Sequence, residues 1–471
     1  MWLRDPDAGF VCGSGDNRGT ELIEPAGAVD VAERAHTARG DEAPEPDAVA
    51  AAVDAAALAG GTGRRLRILV HDFAGHPFQV DLSRALARRG HTVQHVHCVG
   101  YTSGKGAFDT RNLPNLTVVG LPTGGTFDRY SASRRFKQEV GYARRFDAVA
   151  DAFRPDVMLA CNVPLVAKAV TAAWCARKGV PWVFWLQDLH GVAMRREAEK
   201  RAGTAGKALG AGFEMVERAL LRRADAVVSI TPDFVPMLDG WGVAADRRTV
   251  IENWAPLSDL PQRPRDNAWR RRMGMGDRYV FLYSGTLGLK HRPEVLYALA
   301  EQHEGDAEVV VISQGMGETR LREMLAERPL ANLRLLPFQP IEDYPDILGA
   351  ADTLIALLEP AAGTFSVPSK VLSYLCAGRP ILAAIPPANL AARTIEKAGA
   401  GAVVPPDDPE AFLVAAKQFR IDAERRRVAG TNGRSYAESV FDTVTITDRF
   451  EGVIDVALGR SGSTTGSTRG D

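Results

Sequence analysis

The sequence predicts an α/β fold of two Rossmann-like halves, each a doubly wound parallel sheet, facing a central cleft. Three observations predict it. Continuous apolar runs of strand length recur along the chain, each followed by a loop and a helix-like segment. The alternation breaks once, over the polar, Pro- and Arg-rich link PLSDLPQRPRDNAWRRR, and then begins again. Finally, 471 residues with 45% hydrophobic content suffice for large cores in two or three domains.

Residues 1–63 read as a disordered N-terminal extension dominated by Gly, Asp, Glu, Ala and Pro. The first Rossmann-like domain spans 64–257. Its first strand is Leu66–Val70 (LRILV), followed by the loop DFAGHPF, a helix VDLSRALARRG that stops at Gly90, and a second strand TVQHVHCV. PDVMLACN then leads into the helix PLVAKAVTAAWCARKG; PWVFWLQD, a helix around GFEMVERALLRR, and ADAVVSIT continue the rhythm. The second domain, 258–440, runs through YVFLYSG, AEVVVISQG, LRLLPF, DTLIALL, PILAAI and AGAVVPP. A helix over 441–458 is expected to pack back on the first domain, and 459–471 reads as a disordered Gly/Ser/Thr tail.

A net charge of -1 provides no global basic field, which argues against a nucleic-acid partner. Cys12, Cys98, Cys161, Cys175 and Cys376 show no CxxC spacing, so neither a zinc site nor a disulfide framework is expected. A reducing, cytoplasmic setting fits. No apolar run approaches the roughly 18 to 20 residues that span a bilayer.

Ligands of such sheets bind at the carboxyl ends of the strands, so the loops there carry the functional expectation. In SGTLGLKH, Ser284 to His291, Gly285 permits close backbone approach and Lys290 can neutralise a diphosphate; a plain strand-to-helix connection is the competing reading. In SQGMG, Gly315 and Gly317 precede a helix and are either simple capping residues or a wall for a base or ribose. Phe338 to Ile341 forms a third loop. In TFSVPSK, Thr364 to Lys370, Pro368 suits a first helical turn and Ser369 is expected to cap it, leaving outward amides beside the cation of Lys370. That coincidence favours a phosphate or diphosphate. In the first half, Asp72, Gly75 and His76 follow one strand, and Gln187, Asp188 and His190 follow another. Each histidine is open to a bland reading as a hydrogen-bonded loop residue.

YSGTLGLKH, VVVISQGMGETRL, LPFQPIEDYPDILGAADTLIALL and PSKVLSYLCAGRPI together resemble the donor half of retaining GT-B glycosyltransferases of glycosyltransferase family 4, most closely a bacterial polysaccharide and colanic-acid-type branch. The likeness runs from about Arg64 to Leu458 and is carried in the first half by HDFAGHPFQVDLSRALARRGHTV and WLQDLHG. It implies that Lys290 and the helix from Ser369 and Lys370 meet the donor diphosphate, that Phe338 and the Gly315 to Gly317 loop lie near the base, and that Gly75, Ser284 and Gly285 belong to the donor site. Asp188 and His190 are the implied catalytic groups beside the transferring sugar, with His76 and Gln187 on the acceptor side. The resemblance departs at one point: family members often carry two glutamates eight positions apart where this chain has Phe365 and Ser373, so Glu359, Thr364 and Ser366 become candidates for the vacant tasks.

The implied reaction passes a sugar from a nucleotide-diphosphate sugar, UDP- or GDP-linked, to a hydroxyl of a saccharide or lipid-linked acceptor with retention, without metal or cofactor. Two alternatives differ in class: a nucleotide-sugar epimerase of the UDP-N-acetylglucosamine 2-epimerase type, and a non-catalytic nucleotide-sugar-binding protein. Two basic segments, RYSASRRFKQEVGYARRF and the region with Arg195, Arg196, Lys200, Arg201 and Lys207, read either as solvated helix faces or as peripheral contacts with anionic membrane.

Overall fold

The computed structural model describes residues 64–101, 108–125, 127, 131–288, 291–360 and 367–459. Thirteen strands form two sheets. The first contains β1 (Arg67–Asp72), β2 (Thr92–Cys98), β3 (Leu116–Leu121), β4 (Val157–Cys161), β5 (Trp182–Leu186), β6 (Ala226–Ser229) and β7 (Arg248–Val250) in the order β3-β2-β1-β4-β5-β6-β7. The second contains β8 (Tyr279–Ser284), β9 (Ala307–Ile312), β10 (Leu333–Leu336), β11 (Thr353–Leu357), β12 (Ile381–Ala384) and β13 (Gly401–Val404) in the order β10-β9-β8-β11-β12-β13. Every pairing is parallel. Strand order reverses beside β1 in one sheet and beside β8 in the other, the crevice where doubly wound sheets bind ligands.

The helices of the first half are α1 (Pro77–Arg88), α2 (Ala132–Phe153), α3 (Leu165–Lys178), α4 (His190–Arg223) and the short α5 (Val235–Gly240). The second half carries α6 (Ala268–Arg272), α7 (Glu294–Gln302), α8 (Met316–Glu327), α9 (Tyr344–Ala350), α10 (Lys370–Cys376), α11 (Leu390–Ala398), α12 (Pro409–Ile421) and α13 (Ala423–Val440), with α14 (Thr443–Ala457) at the end. The apolar runs form the strands because helices cover both faces: all residues of β4, β5, β8, β9 and β11 are buried. Helix limits follow local chemistry. The Asn389 side chain accepts from the Ala391 amide to start α11, and Gly399, at φ 60°, ends it.

The chain after α13 crosses back to the first half. Glu451 of α14 meets the His91 ring at 3.0 Å, and Phe450 packs 4.5 Å from Trp185 of β5. Asp81 of α1 accepts from the Trp254 indole at 2.9 Å and from the Thr443 hydroxyl at 3.1 Å, fixing both chain crossings to one buried carboxylate.

Two strands lie outside the sequence expectation. β3 alternates irregularly between buried and exposed positions because it is the sheet edge, and β7 has only three half-buried residues. The segment α4 also differs from the single helix expected around GFEMVERALLRR. A straight helix would separate residues 27 apart by about 40 Å. Yet Glu217 accepts from the His190 amide at 3.0 Å, and Arg195 reaches Glu214 at 2.7 Å. The chain reverses at Gly203, whose φ is 54°, making α4 a hairpin of two antiparallel legs. A Cβ on Gly206 would lie 1.9 Å from the Ala198 carbonyl oxygen, so glycine allows the legs to touch.

Candidate functional site

In the second half, β8 ends at Ser284, whose amide donates to the Tyr374 hydroxyl at 3.0 Å. Gly285 follows at φ 136°, a conformation that only glycine adopts without strain. Lys370, the first residue of α10, lies over this turn. Its Nζ donates to the Tyr283 hydroxyl at 2.6 Å and sits 3.8 Å from the centre of the same ring. Burial lowers the Lys370 pKa to about 7. The contacts thus hold the ammonium against a neutral phenol and a π face, leaving its charge available to an anion.

The expected cap does not form. Ser369 has a helical backbone, φ -58° and ψ -24°, instead of the extended conformation that turns a capping hydroxyl toward the following amides, and it makes no side-chain cap. At seven residues, α10 is also too short for its dipole to dominate. The Lys370 side chain is therefore the main charge of this corner.

Gly315 and Gly317 serve the packing of two strand-end loops. The Gly317 amide donates to the Leu287 carbonyl at 2.8 Å, and a Cβ on either glycine would lie within 2.9 Å of that oxygen. Phe338 is half-buried after β10, and Glu359 is half-buried two residues after β11. Ser373, at one position where the family pattern has glutamate, hydrogen-bonds the Tyr344 hydroxyl. Lys290, Thr364, Phe365 and Ser366 lie outside the described residues.

In the first half, Asp72 closes the turn after β1 by accepting from the amides of Ala74, at 3.1 Å, and Gly75, at 2.9 Å. Gly75 needs its freedom here, at φ 78°. The following His76 accepts on Nε2 from the Asn162 amide at 2.9 Å, and burial lowers its pKa, so the ring is neutral with its remaining proton on Nδ1. Gln187 spends both amide atoms on Asn253 of the interdomain link, at 2.7 and 3.2 Å, which ties the link to the end of β5.

Asp188 and His190 stand at the root of α4. Burial pushes the Asp188 carboxyl up to about 6, against the pull of Lys168. Burial, with Lys168 and Arg135 repelling the charged ring, lowers His190 to about 3. A carboxylate and a neutral imidazole therefore coexist at pH 7.

Three buried charges beneath them escape sequence reasoning. Glu217, fully buried, accepts from the amides of His190 and Gly191 at 3.0 and 2.8 Å and so caps the first leg of α4 from the second. Glu139 of α2 accepts from Val166 and Ala167 at 3.1 and 3.4 Å and caps α3. Lys168 is 2% exposed, with its ammonium 3.8 Å from the Phe184 ring centre; burial lowers its pKa while Glu217 holds it up. The single charge inside the apolar PLVAKAV was the available signal for Lys168, whereas Glu217 stands between Glu214 and Arg218 in FEMVERALL and is not singled out there. The consequence is electrostatic. Both helix starts on this side, otherwise ready anion sites, are filled by the protein's own carboxylates.

The two halves meet at their strand ends. Arg393 of α11 donates to Asp233, which follows β6, at 2.8 Å. A narrow pocket beside it is lined by Ile230 and Asn253 from one side and by Val367, Pro368 and Leu390 from the other. Among the described residues no cluster of three or more His, Cys, Asp or Glu side chains is arranged to hold a metal.

Two Rossmann-like domains with their strand ends opposed are a GT-B fold. Residues 75–254 match the family model described as a glycosyl transferase 4-like domain, and residues 266–436 match that of glycosyl transferases group 1. The chain belongs to the glycosyltransferases built from these two domains. It is 26% identical over 286 residues to the probable glycosyltransferase WbjE of Pseudomonas aeruginosa, a match covering 57% of this chain and 65% of WbjE, just under two thirds of that relative. In fold it resembles Anabaena HepE in complex with UDP and glucose, with TM-score 0.63, 16% identity, and 83% and 100% of the respective chains covered. It also resembles the sucrose-phosphate synthase of Thermosynechococcus elongatus, with TM-score 0.64, 18% identity, and 84% and 100% covered.

Proposed function

We propose that the protein transfers a sugar from a UDP- or GDP-linked donor to a hydroxyl of a saccharide or lipid-linked acceptor, with retention, as in the polysaccharide-building branch of glycosyltransferase family 4. The observation that carries this reading is Lys370, a cation held by a neutral phenol at the ligand-binding end of the second sheet. Lys370 and Lys290 receive the diphosphate, with Gly285 giving the phosphates backbone access and Ser284, Gly315 and Gly317 framing the loops. Phe338 faces the base, and Glu359, Thr364, Ser366 and Ser369 supply the polar contacts that the absent glutamates leave to other groups.

Bond exchange follows from the donor's own leaving group. The acceptor oxygen bonds to the anomeric carbon as the carbon–oxygen bond to diphosphate breaks, and the bonding pair leaves with the diphosphate. The hydroxyl proton passes to the departing phosphate oxygen on the same face, which gives retention without a protein base. Lysine charge on the leaving group does the work assigned to a metal elsewhere. Asp188 stabilises positive charge at the anomeric carbon, while neutral His190 donates to sugar hydroxyls. Gly75 and His76 border the acceptor entrance, with Gln187 fixing the link behind it. Four buried free thiols, Cys98, Cys161, Cys175 and Cys376, favour a cytoplasmic reaction.

The test incubates the protein with UDP- and GDP-sugars, with and without membrane extract as acceptor source. Acceptor-dependent release of UDP or GDP is expected. An isomerised donor without acceptor contradicts transfer and supports epimerisation; tight binding without product supports a non-catalytic role.

A further inference from the structure

Strand order in the first sheet reverses between β1 and β4, so the loops that leave these strands part and open a crevice at their ends. Asp72 pairs with Cys161 across the two strands, and the turns that follow begin side by side. Asn162, the first residue after β4, has φ 37°, in the left-handed region that side chains rarely take and asparagine tolerates better than most. Its amide donates to His76 Nε2 at 2.9 Å and bridges the crevice. The ring is held from two further directions. Phe78 stacks on it, with centroids 5.5 Å apart and planes 13° from parallel, and Asp72 pins the preceding turn through the Gly75 amide. His76 is half-buried, and its Nδ1 has no hydrogen-bond partner among the described residues.

We propose that Asn162 is a positioning residue for the acceptor: by donating to Nε2 it fixes the His76 ring as an Nδ1–H donor at the crevice between β1 and β4, where that N–H holds a hydroxyl oxygen of the acceptor. The inference rests on the transferase reading. A ring nitrogen that accepts cannot also carry the proton, so the Asn162 amide decides which nitrogen donates. The ring stays neutral because burial lowers its pKa more than Asp72 raises it. A neutral donor suits a hydroxyl, and the surroundings disfavour a phosphate. Asp72 lies beneath the turn, the starts of α3 and α4 are filled by Glu139 and Glu217, and α1 begins with Pro77, which has no N–H to offer. The left-handed turn also has a use. Glycine would take it freely but would leave the ring to swing about its side-chain bonds, whereas asparagine accepts the backbone and supplies the amide.

The test uses Asn162→Gly, which keeps the left-handed turn free of strain and removes the amide, and Asn162→Asp, whose carboxylate accepts but does not donate. Imidazole nitrogen NMR at about pH 7.5, with the His76 signals assigned by their loss in His76→Gln, should show the Nδ1–H tautomer in the parent, a mixture in Asn162→Gly and a ring protonated on Nε2 in Asn162→Asp. With UDP- and GDP-sugars as donors and membrane extract as acceptor source, Asn162→Gly should need about tenfold more extract for half-maximal nucleotide release, with the rate at saturating extract within about threefold. UDP affinity should match the parent. In a His76→Gln background the same change should cost less than about twofold, a non-additivity that loosened folding alone does not produce. An Nε2–H ring in the parent, an unchanged extract requirement in Asn162→Gly, or additive effects of the two changes overturns the proposal. The layers separate: if the parent transfers normally while one of these outcomes appears, only the role of Asn162 fails; if the parent binds UDP or GDP but shows no acceptor-dependent release, the transferase reading fails and takes this inference with it.

Discussion

Lys370 and Tyr283 form a double contact, an ammonium donating to the phenol at 2.6 Å while lying 3.8 Å from the centre of the same ring. The pair holds a partly desolvated cation ready at the phosphate corner. With a pKa lowered to about 7, Lys370 is only half protonated in the free protein at neutral pH. A diphosphate requires the charged form. UDP binding should therefore take up a proton above pH 7 and weaken by about tenfold per pH unit from there toward the ordinary lysine range. Calorimetry in buffers of different ionisation enthalpy reads the uptake; pH-independent affinity between 6 and 9 contradicts it.

Tyr283→Phe keeps the ring and removes the hydroxyl. It should cost about 1 kcal/mol of folding stability, since the hydroxyl also donates to the Thr286 carbonyl at 2.9 Å. UDP affinity should stay within about threefold, because the bound lysine has exchanged the phenol for phosphate. Thermal unfolding and titration separate the two effects.

Asp188 supplies the acid limb of activity. As pH falls through about 6 the carboxyl takes up a proton and loses the charge that stabilises the sugar cation. Turnover should fall below pH 6. Asp188→Asn should remove that limb and reduce kcat about a hundredfold, with UDP affinity retained. His190, at about 3, adds no titration in this window.

Glu217 and Lys168 are coupled. Glu217→Gln removes the larger of the two carboxylate charges acting on the buried lysine, leaving it Asp188, and weakens the cap on α4, and should cost about 3 kcal/mol. Lys168→Met alone raises the pKa of Glu217 further. The double variant should be less damaged than the sum of the single changes, by at least ~1 kcal/mol in urea unfolding.

The parallel sheets were legible because strands covered on both faces must be apolar throughout, as in WVFWL of β5 and YVFLYS of β8. Edge strands β3 and β7 face other demands and carry no such signal. The hairpin in α4 was hidden because its turn needs one glycine in an otherwise helix-forming run, and Gly203 is one of several there. Lys370 could be singled out, yet its partner Tyr283 looked like one more apolar strand residue. The cap expected of Ser369 failed because the chain enters the helix one residue earlier than its hydroxyl suggests. Lys168 could be picked out as the one charge in PLVAKAV, but Glu139 and Glu217 were unreadable, since each caps a helix start far from it in sequence.

The central claim is that Lys370 receives the diphosphate of a nucleotide-sugar. Titration of UDP and GDP into wild type and Lys370→Ala at pH 6.5, where the lysine is mostly charged, tests it most directly. The account predicts that at least one nucleotide binds the wild type and that its affinity falls about tenfold to a hundredfold in the variant, as for loss of a charge-assisted hydrogen bond. Equal affinity in a correctly folded variant would contradict it.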